Sequence, residues 1–270
     1  MKRVLICEDE ETIRDFVVIH LKRAGYEVTA VRNGDEALKA FTVAEKDKAP
    51  FDIALLDIMM PGPPEKQGDK ICKALREKNK NLGIIMLSAK AQEMDKIGCL
   101  MNGADDYVTK PFSPSELIAR VDAIYRRVEL SSGATNTNVG ANYTVDNSGN
   151  QVLHNRRKED NNSVHTKPQK VLSGPFTLDS KGRSITKNDK PLELTQVEFQ
   201  ILEFFINREG TAIERKEILT QIWGESYYGD DKIIDVNIRR LRMKIENDPS
   251  KPEFLQTVWG FGYKWNVGEV

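Results

Sequence analysis

Residues 53–62 read IALLDIMMPG: four apolar residues, an aspartate, a short apolar run and a closing Pro61-Gly62. Ile53–Leu56 has strand length with no polar interruption, and the Pro-Gly pair marks a turn. Asp57 therefore stands where a strand ends. The arrangement repeats outward in both directions. Val4–Cys7 runs into Glu8-Asp9, Ile84–Leu87 into Ser88, and Tyr107–Val108 into Thr109-Lys110, while Val28–Val31 supplies a further apolar run. Amphipathic stretches of helical length separate these runs. Five such βα units predict an α/β doubly wound parallel five-stranded sheet with helices on both faces. The last helix has its own start signal in Ser113-Pro114-Ser115-Glu116: a capping serine, proline at the first helical position and glutamate at the third.

In open α/β sheets, ligands bind outside the carboxyl ends of the strands. Here those ends carry Glu8-Asp9, Asp57, Ser88 and Lys110. Each has an ordinary explanation when taken singly, as a turn residue, a helix cap or a solvated lysine. Their conjunction does not. Three acids converging on one point repel one another unless a cation lies among them. Carboxylate oxygens, a backbone carbonyl and water suit Mg²⁺. Lys110 can neutralise an oxyanion beside them, and Ser88 can offer a hydroxyl.

Composition narrows the alternatives. The chain has 270 residues, 39% hydrophobic and 30% charged, with a formal net charge of −1. That suits two globular domains rather than disorder. No apolar run has the length of a transmembrane helix, so no membrane association is expected. The opening MKRVLICEDE does not read as a signal peptide. Cys7, Cys72 and Cys99 form no CxxC pair, which points to a reduced, cytoplasmic location. His20, His154 and His165 lie at no metal-ligand spacing, so zinc is not expected. The loop ending in Gly68 lacks a P-loop signature, and Gly260-Phe261-Gly262 lacks the context of a dinucleotide site.

The chain divides into residues 1–128, a linker at 129–170 and a second domain at 171–270. The linker is polar, contains SSGATNTNVGANYTVDNSGN, and shows no apolar periodicity. It reads as flexible, with short apolar pieces such as Val152-Leu153 able to pair. In the second domain, short strands are predicted near Phe176–Leu178, Arg183–Thr186 and Leu192–Leu194. A helix follows with a Thr195…Glu198 capping box, then a helix over Arg215–Trp223, the polar loop Gly224–Asp231 and a third helix. A hairpin spans Phe254–Trp265. On the third helix Ile234, Ile238, Leu241 and Ile245 share one face. Lys232, Val236, Arg240 and Lys244 lie opposite. Asp235–Arg239 and Arg242–Glu246 have the spacing of intrahelical ion pairs. The outward stripe, with its three cations, reads as a face that enters a DNA groove.

Residues 1–128 resemble a response-regulator receiver domain. The resemblance is carried by Glu8-Asp9, Asp57 in LLDIMMPG, Ser88 in MLSAK, and Tyr107 and Lys110 in GADDYVTKPF. It implies that Asp57 takes a phosphoryl group from the phosphohistidine of a sensor histidine kinase. It implies Mg²⁺ held by Asp9, Asp57 and the Met59 carbonyl, with Glu8 assisting through water. Lys110 would pair with phosphoryl oxygens, Ser88 and Tyr107 would form the switch, and the bond before Pro111 would be cis. The resemblance also implies homodimerisation on phosphorylation, through a face where Lys96 pairs with Glu116 and Asp106 with Arg120 across two receivers. Two departures stand out: the loop carries the inserted stretch Pro63-Pro64-Glu65-Lys66-Gln67 before Gly68, and the acid expected as the partner of Arg127 is replaced by Met101.

LELTQVEFQIL, KEILTQIWG, IIDVNIRRLRMKIE and TVWGFGYKW resemble the winged helix-turn-helix effector of the OmpR/PhoB family. By residue match, Val236 and Arg240 would read base edges, with Asn237 and Lys244 beside them. Trp223, Lys232, Thr257 and Tyr263 would touch the phosphate backbone. Trp259 stands where the wing commonly carries an arginine. Together the resemblances imply a cytoplasmic two-component regulator that binds promoter DNA, with RNA polymerase as a further partner to test. No metabolic turnover is expected beyond slow loss of the phosphoryl group. A phosphorylation-independent DNA-binding protein is the alternative. A Mg²⁺ phosphatase would want a second acid at Met59.

Overall fold

Each apolar run of the N-terminal half becomes a strand one or two residues longer than its apolar core. The computed structural model describes residues 2–60, 63, 67–89, 98, 100–131, 144–145, 151–152, 170–225, 227 and 229–268. Its first five strands are β1 (Arg3–Cys7), β2 (Glu27–Val31), β3 (Ile53–Asp57), β4 (Gly83–Ser88) and β5 (Asp106–Thr109). They pair in the order β2-β1-β3-β4-β5, parallel throughout. The helices α1 (Glu11–Arg23), α2 (Gly34–Lys46), α3 (Gly68–Lys78) and α4 (Pro114–Ser131) cover the two faces.

Alternation along the strands decides what each helix meets. Val4, Ile6, Ile53, Leu55, Ile85 and Leu87 point to one face and pack on Val17 and Leu21 of α1 and Leu117 and Val121 of α4. Leu5, Cys7, Ala54, Leu56, Ile84 and Met86 point to the other, against Phe41 of α2 and Ile71 and Leu75 of α3. Burial of each large aliphatic side chain contributes about 1.5–3 kcal/mol. A one-residue slip would turn every one of them to the wrong face, so the register is strongly fixed. At the start of α4 the Ser113 hydroxyl accepts the Glu116 N–H at 3.1 Å, while the Glu116 carboxylate turns to Arg120 at 3.0 Å.

α4 continues to Ser131, past residue 128. Within the stretch expected to be a linker, β6 (Thr144–Val145) pairs antiparallel with β7 (Gln151–Val152). The other residues between 132 and 169 lie outside those described. β8 (Lys170–Ser173) opens a four-stranded antiparallel sheet with β9 (Phe176–Asp179), β10 (Ser184–Lys187) and β11 (Lys190–Pro191). The strand expected over Leu192–Leu194 is displaced to Lys190–Pro191. The Leu192 N–H still reaches Ile185 O at 2.9 Å, and the chain then turns into a helix cap.

That helix is α5 (Gln196–Ile206). Thr195 and Glu198 form the reciprocal capping box read from the sequence. It is followed by α6 (Arg215–Trp223) and α7 (Lys232–Ile245). Between α5 and α6 lies β12 (Ala212–Glu214), which joins β14 (Gly262–Trp265) and β13 (Leu255–Val258) in the order β12-β14-β13. β12 escaped the sequence reading because only one of its three side chains, Ile213, is buried. Trp265 packs on Phe176 with ring centroids 5.0 Å apart, and its indole N–H donates to Ser173 Oγ at 2.8 Å. These contacts bind the wing to the four-stranded sheet. No helix among the described residues is long and apolar enough to cross a membrane.

Candidate phosphoacceptor and DNA-recognition sites

The strand order reverses between β1 and β3, and their carboxyl ends meet there. Cys7 pairs with Leu56, so Glu8 emerges beside Asp57. Asp57 pairs with Leu87 and Ser88 with Thr109, which brings Ser88 and Lys110 to the same end. Carboxylate oxygens of Glu8, Asp9 and Asp57 all lie within 4.8 Å of one another. Lys110 Nζ donates to Asp57 Oδ2 at 2.8 Å and to Glu8 Oε1 at 2.9 Å. Glu8, Asp57 and Ser88 are buried, while Asp9 is exposed. The Met59 N–H donates to Asp57 Oδ1 at 3.1 Å, so that residue's backbone borders the cluster.

Burial, with the Asp57 charge adding to it, pushes the Glu8 carboxyl up to about 7 against the pull of Lys110. Burial alone would lower the Lys110 ammonium, but Asp57 and Glu8 raise it above its ordinary value. Three carboxyls thus face one ammonium, and every donor to a cation here is a hard oxygen. This donor set fits a divalent hard cation.

Two supports were not legible in the sequence. Arg14 of α1 is buried and donates to the carbonyls of Glu8 at 3.0 Å and Asp9 at 3.1 Å, fixing the acidic loop. Gly68 presses on the Asp57 backbone so closely that a Cβ there would lie 1.9 Å from Asp57 O. The cue in each case is a tertiary contact. The peptide bond between Lys110 and Pro111 is cis. The inserted loop at 63–67 lies largely outside the described residues, as does Lys96. The Arg127 side chain is also outside them.

The remaining pairing residues are described and sit within one chain. Arg120 grips Asp106 at 3.1 Å and Glu116 at 3.0 Å. The Tyr107 hydroxyl donates to Asp230 Oδ2 at 3.0 Å, in the loop before α7. From the same loop the Tyr227 hydroxyl donates to Asp106 Oδ1 at 2.8 Å and accepts from Arg120 at 3.1 Å. Nothing local in the sequence points to these links, which join residues more than a hundred positions apart.

The DNA-recognition face departs from the expectation of an open stripe. Ile234, Ile238, Leu241 and Ile245 are buried as read, but so are Val236, Asn237 and Arg240. Arg240 pairs with Glu198 of α5 at 2.9 Å and donates to the Ala104 carbonyl of the N-terminal domain at 3.2 Å. Lys244 pairs with the same Glu198 at 2.7 Å. The stripe is therefore partnered, because α5 and the N-terminal domain both pack against it. Lys232 and Arg239 remain exposed. The expected intrahelical ion pairs also give way to tertiary partners. Asp235 Oδ1 takes Arg215 Nε at 3.1 Å and the Tyr263 hydroxyl at 2.6 Å. Arg242 donates to Leu255 O and Thr257 Oγ1, and Glu246 accepts the N–H groups of Glu253, Phe254 and Leu255. These bonds clamp the hairpin to α7. Trp223 is buried, whereas Trp259 at the hairpin tip is 91% exposed.

A parallel sheet with an acid–lysine pocket at its switch point, coupled to a winged helix-turn-helix, defines a receiver-linked DNA-binding regulator. Comparison with known proteins agrees. Residues 4–122 match the family model of the response regulator receiver domain, and residues 189–265 that of the C-terminal domain of transcriptional regulatory proteins. The sensory transduction protein RegX3 of Mycolicibacterium smegmatis is 38% identical over 98% of this chain and 99% of its own. RegX3 of Mycobacterium tuberculosis is 36% identical over the same shares. Among solved structures, a RitR mutant shares the fold at 20% identity and a TM-score of 0.65, covering 99% of this chain and 100% of that one. The chain belongs to the OmpR/PhoB family of two-component response regulators. It is a DNA-binding transcription regulator whose binding depends on phosphorylation. Receiver domains generally bind Mg²⁺ at an acidic site, and Glu8, Asp9 and Asp57 form a cluster of acidic residues here.

Proposed function

We propose that Asp57 is the phosphoacceptor and that α7 carries the readout to promoter DNA. The observation that supports it most directly is the salt-bridged set of Asp57, Glu8 and Lys110 at the β1/β3 switch point. An Asp57 carboxylate oxygen attacks the phosphorus of a kinase phosphohistidine. The P–N bond breaks, the imidazole leaves, and an acyl phosphate forms on Asp57. Asp9, Asp57, the Met59 carbonyl and Glu8 would hold Mg²⁺, which when bound screens phosphoryl charge. Lys110 already contacts the accepting carboxylate and holds its ammonium where oxyanion charge develops. Ser88, at the end of β4, is placed to donate its hydroxyl to a phosphoryl oxygen. The new group adds about −1.5 to −2 charge, enough to redraw these contacts.

Downstream, two receivers would pair through the α4–β5 face, presenting Asp106, Arg120 and Glu116. The paired effectors would dock α7 in the major groove with Val236, Asn237 and Arg240 toward base edges. Lys232, Lys244, Trp223, Thr257 and Tyr263 would lie toward the backbone. The buried cysteines Cys7 and Cys72 fit a cytosolic setting. The test is labelling with a small-molecule phosphodonor and Mg²⁺. Wild type should take up one phosphoryl group and Asp57→Ala none. Equal labelling of the two proteins would sink the assignment.

A further inference from the structure

The β13–β14 hairpin is fastened to α7 along its length. Glu246, just past that helix, accepts the N–H groups of Glu253, Phe254 and Leu255. Arg242 reaches Leu255 O at 2.9 Å and Thr257 Oγ1 at 2.8 Å. Asp235, in the first turn of α7, takes the hydroxyl of Tyr263, which pairs across the hairpin with Thr257. Moving up the hairpin therefore moves back along α7 toward its N-terminus. Beyond these clamps lies the turn Trp259-Gly260-Phe261. The Phe261 N–H donates to Val258 O at 3.0 Å, and Gly260 has φ +72°, the left-handed value this turn needs at its third position. Gly262 fixes the base of the turn against β12, since a Cβ there would lie 2.0 Å from Ile213 O. The tip is thus held firmly, and it displays two rings: Trp259 is 91% exposed and Phe261 46%.

A tryptophan carries about 150–250 Å² of mostly apolar surface, and leaving it in water is unfavourable. Two rings on one turn cover far less than the roughly 800 Å² that each side of a standard protein interface buries. They suit a slot better than a flat face, and the DNA minor groove, about 6 Å wide, is such a slot. Lys232 and Arg239 of α7 are exposed, and residues 254–265 contain Lys264 and no acid, so the hairpin carries nothing that repels phosphate. We propose that Trp259, flanked by Phe261, is an aromatic wedge for the minor groove, entering at a flexible pyrimidine–purine step beside the segment that α7 occupies. The wedge rests on the reading of α7 as the helix that docks in the major groove. An arginine in a minor groove is drawn by the negative potential of stiff A-tracts. An uncharged ring gains little from that potential. It gains by sliding partly between bases, which unstacks the step and kinks the duplex toward the major groove, closing it around α7. TA and CA/TG steps deform most easily, so Trp259 reads deformability rather than a pattern of base-edge donors and acceptors.

The experiment uses the full chain with a small-molecule phosphodonor and Mg²⁺, as wild type, Trp259→Ala and Trp259→Arg. Wild type first selects duplexes from a random pool. Each step flanking the core of the best-enriched duplex is then set to TA or to an AA·TT run, and affinity and end-to-end FRET are read. At one flanking position wild type should prefer TA by about tenfold and should bend that duplex. Trp259→Ala should bind both duplexes alike and lose the bend. Trp259→Arg should turn the preference toward the AA·TT run. Trp259 is so exposed that neither change should move the melting temperature, so these losses would not reflect unfolding. An Ala variant that keeps the step preference and the bend would overturn the wedge. A uniform loss of affinity at both steps with the bend unchanged would overturn it too, because the ring would then lie on the sugar–phosphate backbone. Intact DNA binding in the Ala variant with loss of RNA polymerase binding would make the tip a protein contact and end the proposal. A wild type that enriches duplexes without any step preference removes the wedge alone. One that enriches no duplex removes the docking of α7 as well.

Discussion

At the scale of single residues, the pocket depends on close backbone approach as much as on charge. Asp57, Glu8, Ser88 and Lys110 were legible because each ends an apolar run, and strand ends are a local pattern. Gly68 was not, because its role is to leave space. A methyl group there would meet Asp57 O at 1.9 Å and Ile58 Cα at 2.9 Å, both backbone atoms that cannot rotate away. Gly68→Ala is expected to lower stability by about 1–3 kcal/mol and to slow labelling of Asp57, because α3 must shift off the end of β3. Thermal denaturation and a phosphodonor time course would check this; a variant that melts and labels as wild type does would refute it. Arg14 was likewise invisible, since nothing local distinguishes it from a solvated helix arginine.

At the scale of elements, caps and apolar faces were legible and partners were not. The capping box of α5 lies within four residues, and both of its bonds are present: Thr195 Oγ1 to the Glu198 N–H at 3.3 Å and Glu198 Oε2 to the Thr195 N–H at 2.8 Å. Thr195→Ala should cost about 1 kcal/mol in the denaturant midpoint while leaving receiver labelling intact. A loss below about 0.3 kcal/mol would show that tertiary packing alone fixes the helix start. The apolar face of α7 was also correct, because 3.6-residue periodicity is intrinsic to the helix. Its opposite face was misjudged as open. Periodicity identifies one buried stripe but cannot report a second packing surface arriving from α5 and from another domain. The same limit explains Asp235, Arg242 and Glu246. Their i,i+4 spacing suited ion pairs along the helix, yet the clamp onto the β13–β14 hairpin offered fixed backbone partners.

At the scale of the whole molecule, Glu198 joins three structures: the start of α5, the buried Arg240, and Lys244. It is 0% exposed. Burial would raise its carboxyl, but Arg240 and Lys244 hold it below the ordinary value of 4.5. A carboxyl depressed on folding contributes stability that is fully present above about 4.5 and is lost as pH falls through the folded value. The contribution of Glu198 to the melting temperature should therefore hold between pH 7 and 5 and decline below about 4.5. Glu198→Gln should be less stable at neutral pH by about 3–5 kcal/mol, since Arg240 is left buried without its counter-charge, and its acid decline should be shallower. Parallel curves for the two proteins would count against Glu198 as the source. The sequence by itself determined the doubly wound receiver, the acid–lysine pocket and the winged helix, because alternation, strand-end residues and caps are each written within a few neighbouring positions. The tertiary structure alone decided which side of α7 is covered and that Tyr227 and Asp230 close over Asp106, Arg120 and Tyr107. The contacts between the two domains join residues more than a hundred positions apart, so their energy depends on how the domains meet.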